Sequence, residues 1–244
     1  MSPKVVPLAG KTIQDPDELL QKLGLSPGDD ALLSLWHAVG LVEKLVPPSR
    51  HFRTALWGAS HVPQTHPSYK DAYRLAFELA KAGSDIITGS GPGMMEAANA
   101  GAMEGMKFSK AISIGISIPV STEQKPNDFL SREYNHKNFF TRLHHFAHYG
   151  RAFVVLSEGG LGTLLELAMI WQLLQRGHLS TEIPLIVVGD MWEGLMSWMK
   201  STMVARGWMT AEEMKLIIPV QTVDDALPIV IDAMGRFKKK LAAG

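Results

Sequence analysis

Residues 153–166 read Phe153-Val154-Val155-Leu156-Ser157-Glu158-Gly159-Gly160-Leu161-Gly162-Thr163-Leu164-Leu165-Glu166. Four apolar residues in a row, ending at a glycine cluster, fit a short strand buried on both faces. Gly159, Gly160 and Gly162 form a loop, and the leucine-rich stretch beyond it predicts a helix from Thr163 to Arg176. A buried strand that passes through glycines straight into a helix is the repeating unit of an α/β sheet.

The same order recurs along the chain. Asp85-Ile86-Ile87-Thr88 reads as a strand, followed by Gly89-Ser90-Gly91-Pro92-Gly93 and a helix opening Met94-Met95-Glu96-Ala97-Ala98-Asn99. Thr54 to Trp57 is an apolar run stopped by Gly58, and Tyr73, Phe77 and Ala80 set a helix period within residues 69–82. Further strands are expected at 112–118, 152–156, 185–188 and 217–220, with helices at 139–149, 192–205 and 223–240. This alternation predicts an α/β fold with a mostly parallel sheet, helices on both faces and right-handed crossovers. Ligands of such sheets sit where strands end and helices begin, and both glycine clusters lie there. Residues 1–50 differ in character. Asp15-Pro16-Asp17-Glu18 suits a first helical turn, and a second helix is expected over 31–45, before Pro47-Pro48. They read as an N-terminal helical extension on a main domain of residues 51–244.

Composition narrows the function classes. The 244 residues are 46% hydrophobic and 20% charged, ordinary values for a globular chain with a full core. Lys+Arg and Asp+Glu both number 24, so the chain lacks the basic footprint of a protein that binds a nucleic acid polymer. Lys238-Lys239-Lys240 reads as a solvated helix end. Cysteine is absent, which excludes disulfides, thiolate metal sites and cysteine nucleophiles, and fits a reducing compartment. Met1 to Lys11 holds no signal-like apolar run, and no stretch reaches the length of a membrane span. A soluble, cytoplasmic chain with no membrane partner is expected.

The two glycine loops carry the candidate chemistry. Without Cβ atoms, Gly89, Gly91 and Gly93 let backbone amides come close to a ligand, and the helix behind them directs free N–H groups and its positive end at an anion. A tight strand-to-helix turn would use similar residues. In the second loop Thr163 either bonds a phosphate oxygen or caps its helix, since Glu166 three residues on completes a capping-box spacing. No Gly-Lys-Ser/Thr follows either loop, which disfavours triphosphate hydrolysis. His144, His145 and His148 lie on one predicted helix, with His144 and His148 on one face. No carboxylate completes a zinc signature, so no metal site is expected, and the histidines read as solvated or as facing the substrate, where one could line the base pocket. Met94, Met95, Met103 and Met106 read as core filler, and Trp192 and Trp198 as packing or a dimer face.

Taken together, Gly89-Ser90-Gly91-Pro92-Gly93-Met94-Met95-Glu96-Ala97-Ala98-Asn99, the segment Phe139-Phe140-Thr141-Arg142, and Gly159-Gly160-Leu161-Gly162-Thr163-Leu164-Leu165-Glu166 resemble, in order, the motifs of the Lonely Guy (LOG) family. The likeness runs from about Thr54 to Val230. It implies a Rossmann-like, doubly wound fold, a homodimer or higher homo-oligomer, and hydrolysis of a nucleoside 5′-monophosphate, AMP-like, to free base and ribose 5-phosphate without a cofactor. By position it implies that Gly159, Gly160, Gly162 and Thr163 hold the 5′-phosphate, that Arg142 and Glu166 are catalytic, and that Glu96 contacts the ribose or the attacking water. Gly89, Ser90, Gly91 and Gly93 complete the expected substrate-binding set. Members also carry the label lysine decarboxylase, yet no segment here suggests a pyridoxal-phosphate lysine environment.

Two positions depart from the family pattern. Glu158 stands where the motif has proline, placing a carboxylate beside the expected phosphate site, and Leu143 replaces the usual lysine after the arginine. Molybdenum-cofactor carrier proteins resemble LOG proteins in fold and loops, so a non-catalytic nucleotide or molybdenum-cofactor carrier is the alternative expectation.

Overall fold

The computed structural model describes residues 50–118 and 125–243. The helices expected within residues 1–50, and the extension they form, fall outside the described residues apart from Arg50. In chain order the elements are β1 (Arg53–Trp57), α1 (Pro67–Lys81), β2 (Asp85–Thr88), α2 (Met94–Gly105), β3 (Ser113–Ser117), β4 (Arg132–Asn135), α3 (Phe139–Tyr149), β5 (Ala152–Val155) and α4 (Leu161–Gln175). Then come β6 (Leu185–Val188), α5 (Glu193–Trp198), α6 (Ala211–Met214), β7 (Ile217–Val220) and α7 (Val223–Ala243).

Seven strands form one sheet in the order β4-β3-β2-β1-β5-β6-β7, every neighbouring pair parallel. From β1 the chain winds outward to β4, then returns to lay β5 on the other side of β1. That reversal falls between β1 and β5, and the carboxyl ends of strands at such a switch point are where sheets of this kind bind ligands.

Strand side chains alternate between two cores. Leu56, Ile86, Val154 and Ile186 face the layer of α1, α2 and α7, while Ala55, Trp57, Ile87, Phe153, Val155 and Val187 face that of α3 and α4. Burial on both faces explains why the strand sequences are unbroken apolar runs. Helices α1 and α2 pack backbone to backbone, because a Cβ at Gly101 or Gly105 would run into the Tyr73 or Phe77 carbonyl.

Three elements differ from the sequence expectation. Strand β4 is an edge strand of mostly exposed polar residues, Arg-Glu-Tyr-Asn, so no apolar run announces it. Helix α6 is one turn held by a reciprocal cap between Thr210 and Glu213. The helix expected at 192–205 is three short pieces, a 3₁₀ turn ending at Trp192, then α5, then a π-helical turn over Met199–Val204. Among the described residues, no helix is long and apolar enough to cross a membrane.

Candidate functional site

The second glycine loop leaves β5 at this switch point. Helix α4 opens two residues earlier than expected, with Gly160 as its N-cap and no side-chain cap. Thr163 is therefore inside the first turn, buried, and the capping-box reading of Thr163 and Glu166 does not hold. The first intrahelical bond runs from the Leu164 amide to the Gly160 carbonyl at 3.0 Å, so the amides of Leu161, Gly162 and Thr163 lie ahead of the ladder. A Cβ at Gly160 or Gly162 would meet nothing within 4 Å. Gly159 is different. It packs against Trp192 and Thr163, and its amide points at Met191 Sδ, 3.3 Å away, rather than at the open side.

Glu158 turns away from this opening. Its carboxylate accepts a bond from Ser68 Oγ, 3.3 Å away in the first turn of α1, while its carbonyl accepts the Ala59 amide at 2.8 Å. A carboxylate there meets the positive end of α1, so it no longer opposes an anion at α4.

Arg142 and Glu166 come from different helices and meet beside the same opening. Asn138 caps α3 by accepting the Thr141 amide at 3.0 Å, which fixes the first turn that carries Arg142. Arg142 Nε donates to the Ile116 carbonyl at 3.0 Å, and its Nη1 lies 3.5 Å from Glu166 Oε1. The Phe146 ring lies 5.3 Å beneath the guanidinium, and Trp57 meets the same ring edge-on. A Cβ at Gly89 would crowd the guanidinium and Met95 Sδ, so glycine there lets Arg142 lie close against the loop. The pair is 12% and 9% exposed. Burial pushes the Glu166 carboxyl up to about 7, against the opposing pull of Arg142. A carboxyl poised near neutrality can both take and give a proton.

The first glycine loop is wired to the protein itself. Thr88 Oγ1 accepts the Ser90 amide at 3.0 Å and donates to Asn99 Oδ1 at 2.6 Å. Asn127 clamps the loop from outside, donating through Nδ2 to the Ser90 and Gly91 carbonyls at 3.1 and 3.0 Å. Ser90, expected to face a ligand, is buried with φ +64° and its hydroxyl bonded to the Gly89 carbonyl. Gly91 abuts Met95, and Gly93, at φ +67°, abuts the backbone of Ala59 and Ser60. Glu96 projects from the first turn of α2, where its Oε1 accepts bonds from Tyr69 Oη at 3.0 Å and Gln64 Nε2 at 2.9 Å. Burial and the Glu96 carboxylate push the Tyr69 hydroxyl up to about 12. Glu96 lines an open depression of about 400 Å³ together with Gln64, Pro92 and Asn127.

The sequence pattern of the family described as possible lysine decarboxylase matches residues 95–230, more than half of the chain. The chain belongs to this family, the LOG family. Among solved structures, the LOG chain is similar to the molybdenum cofactor binding protein of the phototrophic bacterium Rippkaea orientalis, with 18% identity, a TM-score of 0.55, and coverage of 76% of this chain and 98% of the other. It is likewise similar to the Moco carrier protein of Chlamydomonas reinhardtii, with 18% identity, a TM-score of 0.56, and coverage of 77% and 99%. At that identity the likeness is one of fold. No curated protein sequence matches the chain.

In this LOG chain His144 and His148 of α3 are exposed, whereas His145 packs into the protein. His145 Nδ1 shares a 2.8 Å hydrogen bond with His136 Nε2, and its ring packs between Tyr134 and Tyr149. Burial lowers its pKa to about 4, so it is a neutral strut between β4 and α3. His144 and His148 stack on each other. Among the described residues no group of three or more His, Asp or Glu is placed to hold a metal ion. Sequence reasoning missed Ser68, Gln64, Tyr69 and Asn127. None sits in a motif, and each acts through a contact that only the folded chain creates.

Proposed function

We propose that this protein binds a nucleoside 5′-monophosphate, with the phosphate against the amides that open α4, and hydrolyses its N-glycosidic bond. The observation that carries the reading is the buried meeting of Arg142 and Glu166 beside that opening, with the carboxyl poised near pH 7. Glu166 lies one turn along the same helix from Gly162 and Thr163, about 5 Å at the helical rise. A sugar attached to a phosphate at the helix end comes within its reach.

In this reading the ionised Glu166 takes a proton from water as the water oxygen bonds to C1′ of the ribose. The C1′–N bond breaks, its electron pair leaves with the base, and the base gains a proton. Ribose 5-phosphate and free base are the products. Arg142, held by the Ile116 carbonyl, supplies positive charge to the departing base or to the phosphate. In the same reading Glu96, held by Tyr69 and Gln64, accepts from ribose hydroxyls. Phe140 and Leu161, 75% and 83% exposed at the starts of α3 and α4, support a homodimer that covers this side.

Incubation with AMP, CMP, GMP, UMP and IMP, followed by chromatography for free base and ribose 5-phosphate, tests the reading. Glu166→Gln should slow release about 100-fold or more while nucleotide still binds. Binding of nucleotide without any release by the parent protein would assign the site instead to carriage of a nucleotide or of molybdenum cofactor; of the two structural neighbours, one is named for binding that cofactor and the other for carrying it.

A further inference from the structure

A cavity lies at the carboxyl ends of β6 and β7. Strands β6 and β7 end side by side, Val188 opposite Val220, and the chain leaving β6 turns at Gly189 with φ +89°. Beyond these strand ends is a space of about 560 Å³, walled by Trp192, Met196 and Pro219 and rimmed by Glu193, Gln221 and Asp225. That volume suits a small organic molecule, and an apolar wall with a few polar groups is how such sites are built.

The polar rim has one sign. Its lining includes two carboxylates and no lysine, arginine or histidine. Glu193 Oε1 accepts from Gln221 Nε2 at 3.1 Å, and Asp225 Oδ2 accepts from the amide and hydroxyl of Thr222 at 3.0 and 2.7 Å, capping α7. Capping explains one oxygen of Asp225, and Gln221 occupies one oxygen of Glu193. Each carboxylate keeps a second oxygen at the exposed rim. The Trp192 indole N–H is consumed by the Leu156 carbonyl at 3.0 Å, so the ring serves this cavity as an apolar wall. A thioether and an indole form a surface that favours a flat ring, and the acidic rim favours a cation attached to it.

We infer that this cavity is a binding site for a planar aromatic ring bearing a cationic alkylamine, distinct from the Arg142–Glu166 site. It adjoins the second glycine loop. A Cβ at Gly159 would lie 2.8 Å from the Trp192 ring, and one at Gly189 would lie 3.0 Å from Ser157. The two sites therefore share a wall, but the inference does not depend on hydrolysis at the first.

The full-length protein, labelled with ¹⁵N, reports occupancy through the Trp192 indole N–H resonance, assigned by its loss in Trp192→Phe. Three probes share one ring: tryptamine, neutral indole and the anion indole-3-acetate. Tryptamine should shift the Trp192 signal saturably, and bind about tenfold more tightly than indole-3-acetate, the preference expected from two exposed carboxylates. The combined Glu193→Gln and Asp225→Asn variant should erase the preference for tryptamine while indole binds as before. Met196→Trp should fill the space and abolish the shift by all three probes. Equal binding of the cationic and anionic probes, or shifts that survive Met196→Trp in a protein that still melts cooperatively, would overturn the assignment.

Discussion

The loops after β2 and β5 look alike in sequence and sit two strands apart at the same edge of the sheet, yet they are built for opposite ends. In the first, every glycine fits against the protein: Gly89 against Arg142, Gly91 against Met95, Gly93 against the loop after β1. Its Ser90 and Gly91 carbonyls are taken by Asn127 and its Ser90 amide by Thr88. In the second, Gly160 and Gly162 face open space, and the helix behind them has no side-chain cap. A glycine can be required by crowding or by a vacancy. Crowding supports the scaffold that aims Arg142, whereas vacancy leaves room for something the chain does not supply.

The largest effect expected from this contrast is at Gly93. Its φ of +67° with ψ of −127° belongs to glycine, and an added Cβ would lie 2.7 Å from the Ala59 oxygen and from Ser60 backbone atoms, none of which can move cheaply. Gly93→Ala should cost about 3 kcal/mol, or roughly 6–12 °C in Tm, by calorimetry. A melting temperature within a degree of the parent would show that the first loop is not held by this contact.

Next in size is the pH response of Glu166. Burial raises its folded pKa to about 7, above the ordinary carboxylate range, so the folded protein keeps a proton that the unfolded chain gives up. That contribution is complete below the ordinary carboxylate pKa and is lost as pH rises through about 7. At about 1.4 kcal/mol per unit, the difference amounts to roughly 3 kcal/mol. Urea unfolding at pH 4.5 and pH 8.5 should therefore show the parent losing more stability than Glu166→Gln by about that amount. Parallel pH profiles in the two proteins would mean that the carboxyl is not buried as the structure has it.

A middle-sized effect falls on the clamp. Asn127→Ala removes the side-chain amide bonded to Ser90, Gly91 and Asn99; the Ser90 carbonyl keeps the Asn127 backbone amide at 2.8 Å and Asn99 Oδ1 keeps Thr88 Oγ1, so the half-buried Gly91 carbonyl is the one that loses its donor. A loss of about 1 kcal/mol is expected. Amide exchange in residues 89–93 should quicken while that of residues 159–162 stays as it was. Equal quickening in both loops would erase the distinction between them.

How far the sequence disclosed these features follows from what each depends on. The parallel sheet was legible because a strand buried on both faces needs an unbroken apolar run, as in Phe153 to Leu156. Arg142 and Glu166 were legible through the family motifs, and no periodicity alone would pair residues on two helices. Strand β4 was not legible, since an exposed polar edge strand leaves no pattern. Nor was the inward wiring of Ser90, because it depends on Asn127, remote in sequence. The acidic residue at 158 looked unfavourable for a phosphate until Ser68, from a helix beginning some ninety residues earlier, was seen to draw it away.

The smallest change should be the most telling. Gly162 is the second residue of α4, exposed, with free space where a Cβ would stand. Alanine in a helix is favoured over glycine by about 0.5–1 kcal/mol, so Gly162→Ala should leave stability unchanged or slightly raised. A phosphate oxygen drawn to the amides of 161–163 would nonetheless meet the new methyl, and the Kd for AMP should rise about tenfold, a difference of about 1.4 kcal/mol. Stability and binding moving in opposite directions is what a glycine kept for a ligand requires. If calorimetry finds AMP bound as well to Gly162→Ala as to the parent, the vacancy at this helix end serves no anion, and the two loops differ in packing alone.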